Sequence, residues 1–262
     1  MMKKLHAIFF ILLLFFGCVT NPLSGKSTMA LVSNRTLFPT SFAQYNQFLR
    51  ENTVVRNTAE SEMVARVGRR IAEAAQKWLR AEGSPNYLND YRWEYNLVSD
   101  NTVNAWCMPG GKIVVYTGIL PVTKTETGLA VVMGHEVAHA LLNHGQQRMS
   151  AGVLQQLGAA ALSIMTDSDL IMAAYGVGSA LFGTLPFSRS HESEADRYGL
   201  ILMAIAGYDP GEAVPFWRRM AAMSGGNIEF LSTHPSSSTR INQLNKWTPE
   251  ARQKAAALGV RF

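Results

Sequence analysis

The stretch from residue 124 to residue 143, KTETGLAVVMGHEVAHALLN, decides the fold and the chemistry that the sequence predicts. Its apolar residues recur at helical spacing, which predicts one long helix with a buried stripe. Within it, residues 135–139 read HEVAH and fit the pattern H-E-x-x-H. Residues four apart lie on one face of a helix, so His135 and His139 can reach the same metal ion. Glu136 lies about 100° further round, where it can hold a water molecule instead of the metal.

The remaining histidines lie in or beside segments that can supply further ligands. After residue 17, histidine occurs only at positions 135, 139, 144, 191 and 234. A tetrahedral catalytic zinc takes a third protein ligand and keeps one position open. Metalloproteases of the H-E-x-x-H-x-x-G-x-x-H class have a third histidine six residues after the second, and Gly145 at this position excludes that class. Gly145 is instead a predicted C-terminal cap of the helix. His144 points to another side of the helix and is interpreted as a helix-end histidine favoured by the dipole.

A second segment, HESEAD at residues 191–196, supplies candidates for the third ligand. On spacing alone, His191, Glu192 and Glu194 all remain open. Glu192 and Asp196 are four residues apart and share a helix face, so one can bind the metal while the other orients a ligand histidine. Glu194 points away from both and is predicted to be an exposed helix residue.

Four motifs, in matching order, resemble the gluzincin family of HtpX, the CAAX prenyl endopeptidase, and the BepA-type and Oma-type peptidases. They are HEVAH at 135–139, SRSHESEADR at 188–197, NAW at 104–106 with the turns after it, and THPS at 233–236 with Arg240. The resemblance implies a zinc-dependent endopeptidase with one zinc ion per chain. It implies Glu192 as the third ligand beside His135 and His139, Glu136 as the catalytic base, and Asp196 as the supporting acidic residue.

Two further residues and one strand are predicted to complete the site. His234 and Arg240 are candidates to stabilise the developing oxyanion, because their segment is expected to fold back over the metal. His234 has an alternative role, because the matching histidine in the BepA-type branch can occupy the open zinc position; a loop histidine without metal contact is the third interpretation. Asn104, Ala105 and Trp106 are predicted to form an edge strand that pairs with an extended peptide substrate.

The pattern of elements predicts an α+β fold: a mostly helical zincin domain with a small sheet. The interval 41–81 reads as a helical stretch, and short strands are expected between residues 91 and 116, joined by the Pro-Gly-Gly turn at 109–111. Another helix is expected at 190–206, followed by a mostly helical C-terminal part. A single catalytic domain at 41–262 is predicted, preceded by a tether and an ordered leading segment at 18–40.

The N-terminus predicts export. Lysines at 3 and 4, an apolar run at 8–16 and then Gly17 read as a signal peptide at 1–17. A retained membrane anchor is the alternative. Phe15-Phe16-Gly17-Cys18 resembles the bacterial lipobox, which predicts lipidation of Cys18 and a lipid anchor in the outer membrane, facing the periplasm. An ordinary signal peptide with an incidental cysteine remains the other interpretation.

The composition and charge of the chain indicate which classes of binding partner to expect. The formal charge is +5 and falls to +3 without Lys3 and Lys4, and no basic cluster with interleaved aromatics occurs, so nucleic-acid binding is not expected. The expected partners are polypeptides, above all misfolded or misassembled envelope proteins. No 34-residue repeat of the BepA branch follows the catalytic part.

Two rival functions follow from the same features. The first is a non-proteolytic chaperone or assembly factor for outer-membrane proteins, against which Glu136 argues because a structural metal site has no need of that carboxylate. The second is a membrane-embedded protease. It depends on whether Leu170 to Phe187, 18 residues without a charge, spans a bilayer or forms packed helices.

Overall fold

The computed structural model describes residues 18–162, 187–223, 228–234 and 238–262. The predicted signal peptide and the apolar run from Leu170 lie outside the described residues, except for Phe187. The strands are β1 (Cys18–Thr20), β2 (Ser27–Met29), β3 (Val54–Val55), β4 (Glu94–Val98), β5 (Ala105–Met108) and β6 (Lys112–Tyr116). The helices are α1 (Asn34–Glu51), α2 (Ala59–Ala81), α3 (Leu120–Thr123), α4 (Glu126–Leu141), α5 (His144–Leu162), α6 (Arg189–Ile205), α7 (Ala213–Ala222), α8 (Glu229–Thr233) and α9 (Ser238–Ala257).

The fold is α+β, as predicted, and the described part is mostly helical with one small mixed sheet. The strand order is β3-β4-β6-β5, with β4 and β6 parallel and the two outer pairs antiparallel. Helices α2 and α4 pack on one face of this sheet, and α1 packs on the other through Tyr45, which contacts Val98 and Val114. The sheet therefore holds β5 at its edge, beside the helix that carries residues 135–139.

Strand β5 begins at Ala105, one residue later than the sequence predicts, and two hydrogen bonds lie beside this point of the chain. The Phe230 backbone N–H donates to the Val103 carbonyl at 3.1 Å, and the Ala105 N–H donates to the Asn104 side chain at 2.8 Å. Asn104 immediately precedes the edge strand, whereas Ala105 and Trp106 lie within it.

Helix α4 is the centre of the core, and it crosses α6 at a pair of glycines. Every residue from Gly128 to Leu141 is buried. A Cβ atom on Gly134 would lie 2.9 Å from the Gly199 carbonyl oxygen, closer than real Cβ contacts. Small residues at the crossing let the two backbones approach, and this approach places residues 135–139 against the first two turns of α6. Helix α9 also packs on α6 and carries Arg240 to the same region.

Three predicted boundaries are wrong. The predicted helical stretch at 41–81 is broken by residues 52–58, which include β3, so it forms two helices. Helix α1 already begins at Asn34, with Ser33 as its N-cap, so the predicted domain start at 41 falls inside a helix. Helix α4 ends at Leu141, and the left-handed residue after it is Asn143, with φ 58°, instead of the predicted cap Gly145.

The segment predicted to be a tether contains a β-hairpin that is attached to the domain. Strands β1 and β2 pair antiparallel. Between them, the Asn21 side chain donates to the carbonyl of Leu141 at 2.7 Å, and the hydroxyl of Tyr198 donates to the Leu23 carbonyl at 3.2 Å. The hairpin therefore docks on the end of α4 and on α6. Among the described helices, none combines the length and apolar character that a bilayer crossing requires.

Candidate metal centre

Four buried side chains converge between α4, α6 and the end of α8. His135, His139, Glu192 and His234 each bring one nitrogen or oxygen atom within 4.8 Å of the others. The Nε2 atoms of the two α4 histidines are 3.0 Å apart. Glu192 Oε1 lies 3.3 Å from His139 Nε2 and 2.9 Å from His234 Nδ1. The sequence predicted that the first three of these residues meet, and the structure brings them together with His234 as a fourth.

The chemistry and spacing of these atoms fit a tetrahedral metal ion. Zinc bonds to imidazole nitrogen and carboxylate oxygen at about 2.0–2.2 Å, which places neighbouring ligand atoms about 3.3 Å apart. His234 Nδ1 lies 2.9 Å from Glu192 Oε1, and His135 Nε2 lies 3.2 Å from His234 Nδ1 and 3.0 Å from His139 Nε2. Burial lowers the pKa of His139 well below its ordinary value, so its ring stays neutral, as a metal ligand must be.

Local structure places Glu192 and Asp196 of α6 as their spacing predicted. Ser188 caps the helix by accepting a hydrogen bond from the His191 N–H, which fixes the first turn. Glu192 in that turn points at the metal ligands, and Asp196, one turn later, lies behind His135 with Oδ1 3.0 Å from its Nδ1. Burial alone would raise the pKa of Glu192, but the nearby histidines, His234 first, lower it below its ordinary value. Glu192 is therefore ionised.

Arg240 lies behind the two carboxylates. Its guanidinium donates to Asp196 Oδ2 at 2.6 Å, to Glu192 Oε2 at 2.9 Å and to the carbonyl of His234 at 3.3 Å. The ring of Trp217, a residue that the sequence analysis did not single out, stacks 3.4 Å from the guanidinium carbon. This position favours a role in holding both carboxylates over the predicted role as oxyanion donor.

Glu136 lies beside the cluster without belonging to it. Its Oε1 atom is buried, makes no hydrogen bond to any described residue, and lies 3.4 Å from His234 Nε2. Burial is the main cause that raises the pKa of this carboxyl above its ordinary value, and a hydrogen bond with the backbone of Cys107 partly opposes it. A carboxylate with a raised pKa and a free oxygen atom is suited to accept a proton.

A cavity of about 230 Å³ opens on Glu136, His139 and His234. Its wall includes all of β5 and four aromatic side chains, Phe48, Trp106, Tyr116 and Phe187. Trp106 packs edge-on against Phe48, with ring centroids 5.0 Å apart.

Alternate backbone groups of β5 face this cavity. The Tyr116 N–H donates to the Asn104 carbonyl at 3.1 Å, which sets the hydrogen-bonding phase of the pair. By alternation, Trp106 and Met108 turn their backbone groups to β6, whereas Ala105 and Cys107 turn theirs outward. Both outward-facing residues line the cavity.

Two residues were misjudged from the sequence. His144 is fully buried and its Nδ1 lies 3.0 Å from Nδ1 of His139, so it is not merely a helix-end histidine. Glu194 was predicted to be exposed, but its Oε2 lies 3.5 Å from His144 Nε2 and it pairs with Lys26 of the hairpin. The hydrogen bond from His144 is the main cause that lowers the pKa of Glu194 to about 2. The presence of His144 five residues after His139 was the only sequence signal for this contact. It could not be interpreted without knowing that α4 ends at Leu141.

Comparison with known proteins agrees with this site. The family model for Peptidase family M48 matches residues 61–248, which include all four converging side chains and Glu136. The chain belongs to peptidase family M48. Helix α1 and the hairpin precede the part that matches the M48 family, although Phe48 of α1 lines the cavity.

The M48 chain is similar to several curated proteins. It is 39% identical over 174 residues to the mitochondrial metalloendopeptidase OMA1 of Schizosaccharomyces pombe, covering 64% of this chain and 50% of that protein. The OMA1 of Saccharomyces cerevisiae is 37% identical over 193 residues, 70% of this chain and 54% of the relative. The beta-barrel assembly-enhancing protease of Yersinia pestis is 28% identical over 176 residues, 60% of this chain and 35% of the relative. The chain spans about half the length of the OMA1 proteins that it matches.

Proposed function

We propose that this chain is a zinc-dependent endopeptidase. The observation that carries the proposal is the position of Glu136, whose buried and unbonded oxygen lies beside four converging metal-ligand atoms at the floor of a cavity. A purely structural metal site would have no use for such a carboxylate. Membership of peptidase family M48, and the similarity to two OMA1 proteins named as metalloendopeptidases, support the same conclusion.

His135, His139 and Glu192 hold the metal in this proposal. Asp196 orients His135 through its Nδ1, and Arg240 holds both carboxylates in place. A divalent zinc in this site supplies Lewis acidity, which polarises the scissile carbonyl and lowers the pKa of a water molecule. The remaining steps belong to side chains of the protein.

Glu136 performs the proton transfers. Its free Oε1 accepts a proton from the attacking water, and the same carboxyl then returns the proton to the leaving amine nitrogen. Because burial raises its pKa, the carboxyl accepts a proton more readily than an exposed glutamate would.

His234 would cap the metal in the resting state. Its Nδ1 lies 3.2 Å from His135 Nε2 and 2.9 Å from Glu192 Oε1, which is the position of a fourth ligand. An imidazole there would compete with water for the open position, so the enzyme would stay inactive until substrate or a movement of the His234 segment displaced it. Once displaced, the imidazole becomes available as a donor to the oxyanion.

The substrate is an extended polypeptide that pairs with the outer edge of β5. The outward carbonyls of Ala105 and Cys107 can accept hydrogen bonds from the substrate backbone, while the Ala105 N–H donates to the Asn104 side chain. Trp106 faces the α1 side of the sheet with Phe48, so a substrate side chain on that face meets an aromatic wall. An apolar residue is therefore expected at this subsite.

Misfolded or misassembled proteins of the bacterial envelope are the proposed substrates. The beta-barrel assembly-enhancing protease among the relatives supports this class, and the lipobox-like residues before Cys18 support an enzyme lipid-anchored to the outer membrane on the periplasmic side. Cys18 is exposed at the start of the hairpin, where a lipid would not disturb the core.

One experiment tests the activity directly. The zinc-loaded protein and a Glu136→Gln variant are incubated with an unfolded outer-membrane protein, and the cleavage sites are mapped by mass spectrometry. Cleavage by the first protein alone, with apolar residues enriched at one subsite, supports the proposal. Binding of the unfolded protein without cleavage by either would contradict it and favour the chaperone alternative.

A further inference from the structure

Each of the two histidines of α4 has a contact at its Nδ1 atom, on the side away from the other metal-ligand atoms, but the contacting residues differ in kind. His139 directs its Nε2 to the other metal-ligand atoms, so its Nδ1 is the nitrogen on the far side. Asp196 contacts the corresponding nitrogen of His135. Behind His139 the contact is His144, whose Nδ1 lies 3.0 Å from His139 Nδ1.

The chain path explains how His144 reaches this place. Helix α4 ends at Leu141, and Asn143 adopts a left-handed backbone conformation with φ 58°, which reverses the chain within one residue. His144 is the first residue of α5 and is turned back onto α4. Its ring is fully buried and stacks on His191 with centroids 4.3 Å apart, so packing fixes its orientation.

The contacts of His144 continue to a carboxylate. Its second nitrogen, Nε2, lies 3.5 Å from Oε2 of Glu194, and Glu194 pairs with Lys26 in the N-terminal hairpin. The Lys26 side chain is 58% exposed, so this last ion pair contributes little. A series of contacts therefore connects His139 to His144 and His144 to Glu194.

One arrangement of protons satisfies every contact in this series. If His139 binds a metal through Nε2, its proton is on Nδ1, and that N–H donates to Nδ1 of His144. His144 then carries its own proton on Nε2, and this N–H donates to the Glu194 carboxylate. Each imidazole is neutral and each nitrogen has a partner, so the series selects the tautomer of His139 that exposes Nε2 to the metal.

We propose that His144 is a positioning residue, which fixes the ring and the tautomer of His139 for metal binding and is itself oriented by Glu194. The inference rests on the proposed function in one respect, namely that His139 is a metal ligand. Partners of this kind typically change metal affinity by 10-fold to 100-fold when they are lost.

The test compares two substitutions of similar shape in the full-length protein. His144→Asn keeps an acceptor close to the position of Nδ1, whereas His144→Leu removes it. Zinc affinity is measured by competition with a chromophoric chelator, and the melting temperature of the metal-free proteins is measured in parallel. We expect His144→Leu to weaken zinc binding by about 10-fold to 100-fold and His144→Asn to recover most of the affinity. Ser190→Ala, at an exposed position of the neighbouring helix α6, is the control and should retain it.

Two results would overturn the inference. One is an unchanged zinc affinity of His144→Leu, with or without a lower melting temperature. The other is an equal loss in the Asn and Leu variants, because only asparagine can accept the hydrogen bond from His139. A His139→Ala variant distinguishes failure of this inference from failure of the proposed function. If it also binds zinc normally, His139 is not a ligand, and the proposed ligand set is wrong as well as the role of His144.

Discussion

Gly199 and His135 lie so close together, where α6 crosses α4, that a Cβ atom on Gly199 would stand 2.9 Å from the His135 backbone nitrogen. The distance between the two helices therefore sets how far the α6 carboxylates stand from the α4 imidazoles. A larger residue at the crossing must push the two halves of the site apart, because the contact is with backbone and not with a flexible side chain.

A Gly199→Ala substitution is therefore expected to lower the free energy of unfolding by about 1–3 kcal/mol and to weaken zinc binding. Thermal or urea unfolding and a zinc titration would measure both effects. Ser190→Ala, at an exposed position of the same helix, should change stability by less than about 0.5 kcal/mol. An alanine variant as stable as the native protein would contradict the tight crossing.

A Glu136→Gln substitution should separate metal binding from catalysis. The amide is of similar size and the proposed ligands remain, so zinc content should stay near one equivalent per chain. Peptide cleavage should disappear, because glutamine cannot accept the proton from water. Metal analysis and a peptide cleavage assay on the same preparation check both statements, and turnover by a zinc-loaded variant would refute the role of Glu136 as base.

Substitutions of Glu192 and Glu194 should differ strongly in their effect on zinc. Glu192→Ala removes a carboxylate that points at the metal-ligand atoms, whereas Glu194→Ala removes one that reaches the site only through His144. We expect the first to abolish stoichiometric zinc binding and the second to weaken it modestly, as measured by metal analysis after dialysis. The reverse order would identify Glu194 as the ligand.

A His234→Ala substitution should raise basal proteolysis, including self-cleavage, with little loss of zinc. The reason is that a capping imidazole occupies the position that water requires, while three ligands remain. Timed cleavage assays with metal analysis measure this, and Ser232→Ala, at an exposed position two residues away, is a control. A fall in turnover of about 10² to 10³ would instead assign His234 to the oxyanion. A variant that behaves like the native protein would exclude both roles.

A Cys18→Ser substitution should release the protein from membranes if lipid on Cys18 is its anchor. Fractionation of bacterial cells, with carbonate extraction of the membrane pellet, measures the release. Cys107→Ser is the matched control, since this half-buried thiol lies in β5 and should not affect anchoring. A processed protein that still resists carbonate extraction without Cys18 would show that another segment holds it in the membrane.

Local sequence was sufficient for the parts of the site that lie within one helix. The i to i+4 spacing places His135 and His139 on one face, and the same spacing places Glu192 and Asp196 on another, whatever surrounds them. The small sheet was also predictable, because runs of β-formers and the Pro-Gly-Gly turn are local signals. The position of β5 was predicted only approximately: the strand begins at Ala105, beside a hydrogen bond from the distant Phe230 to Val103 that local sequence does not reveal.

Tertiary structure decided everything that depends on where helices end and which helices meet. The roles of His144 and Glu194 were misjudged because spacing along a helix has no meaning once the helix stops, and α4 stops two residues before Asn143 reverses the chain. Arg240 was placed near the site by the sequence, but only its position behind Glu192 and Asp196 distinguishes a residue that holds carboxylates from one that faces substrate. The physical reason is that periodicity fixes directions within one helix, whereas the distance between two helices is set by packing, here by the contact of Gly134 with Gly199.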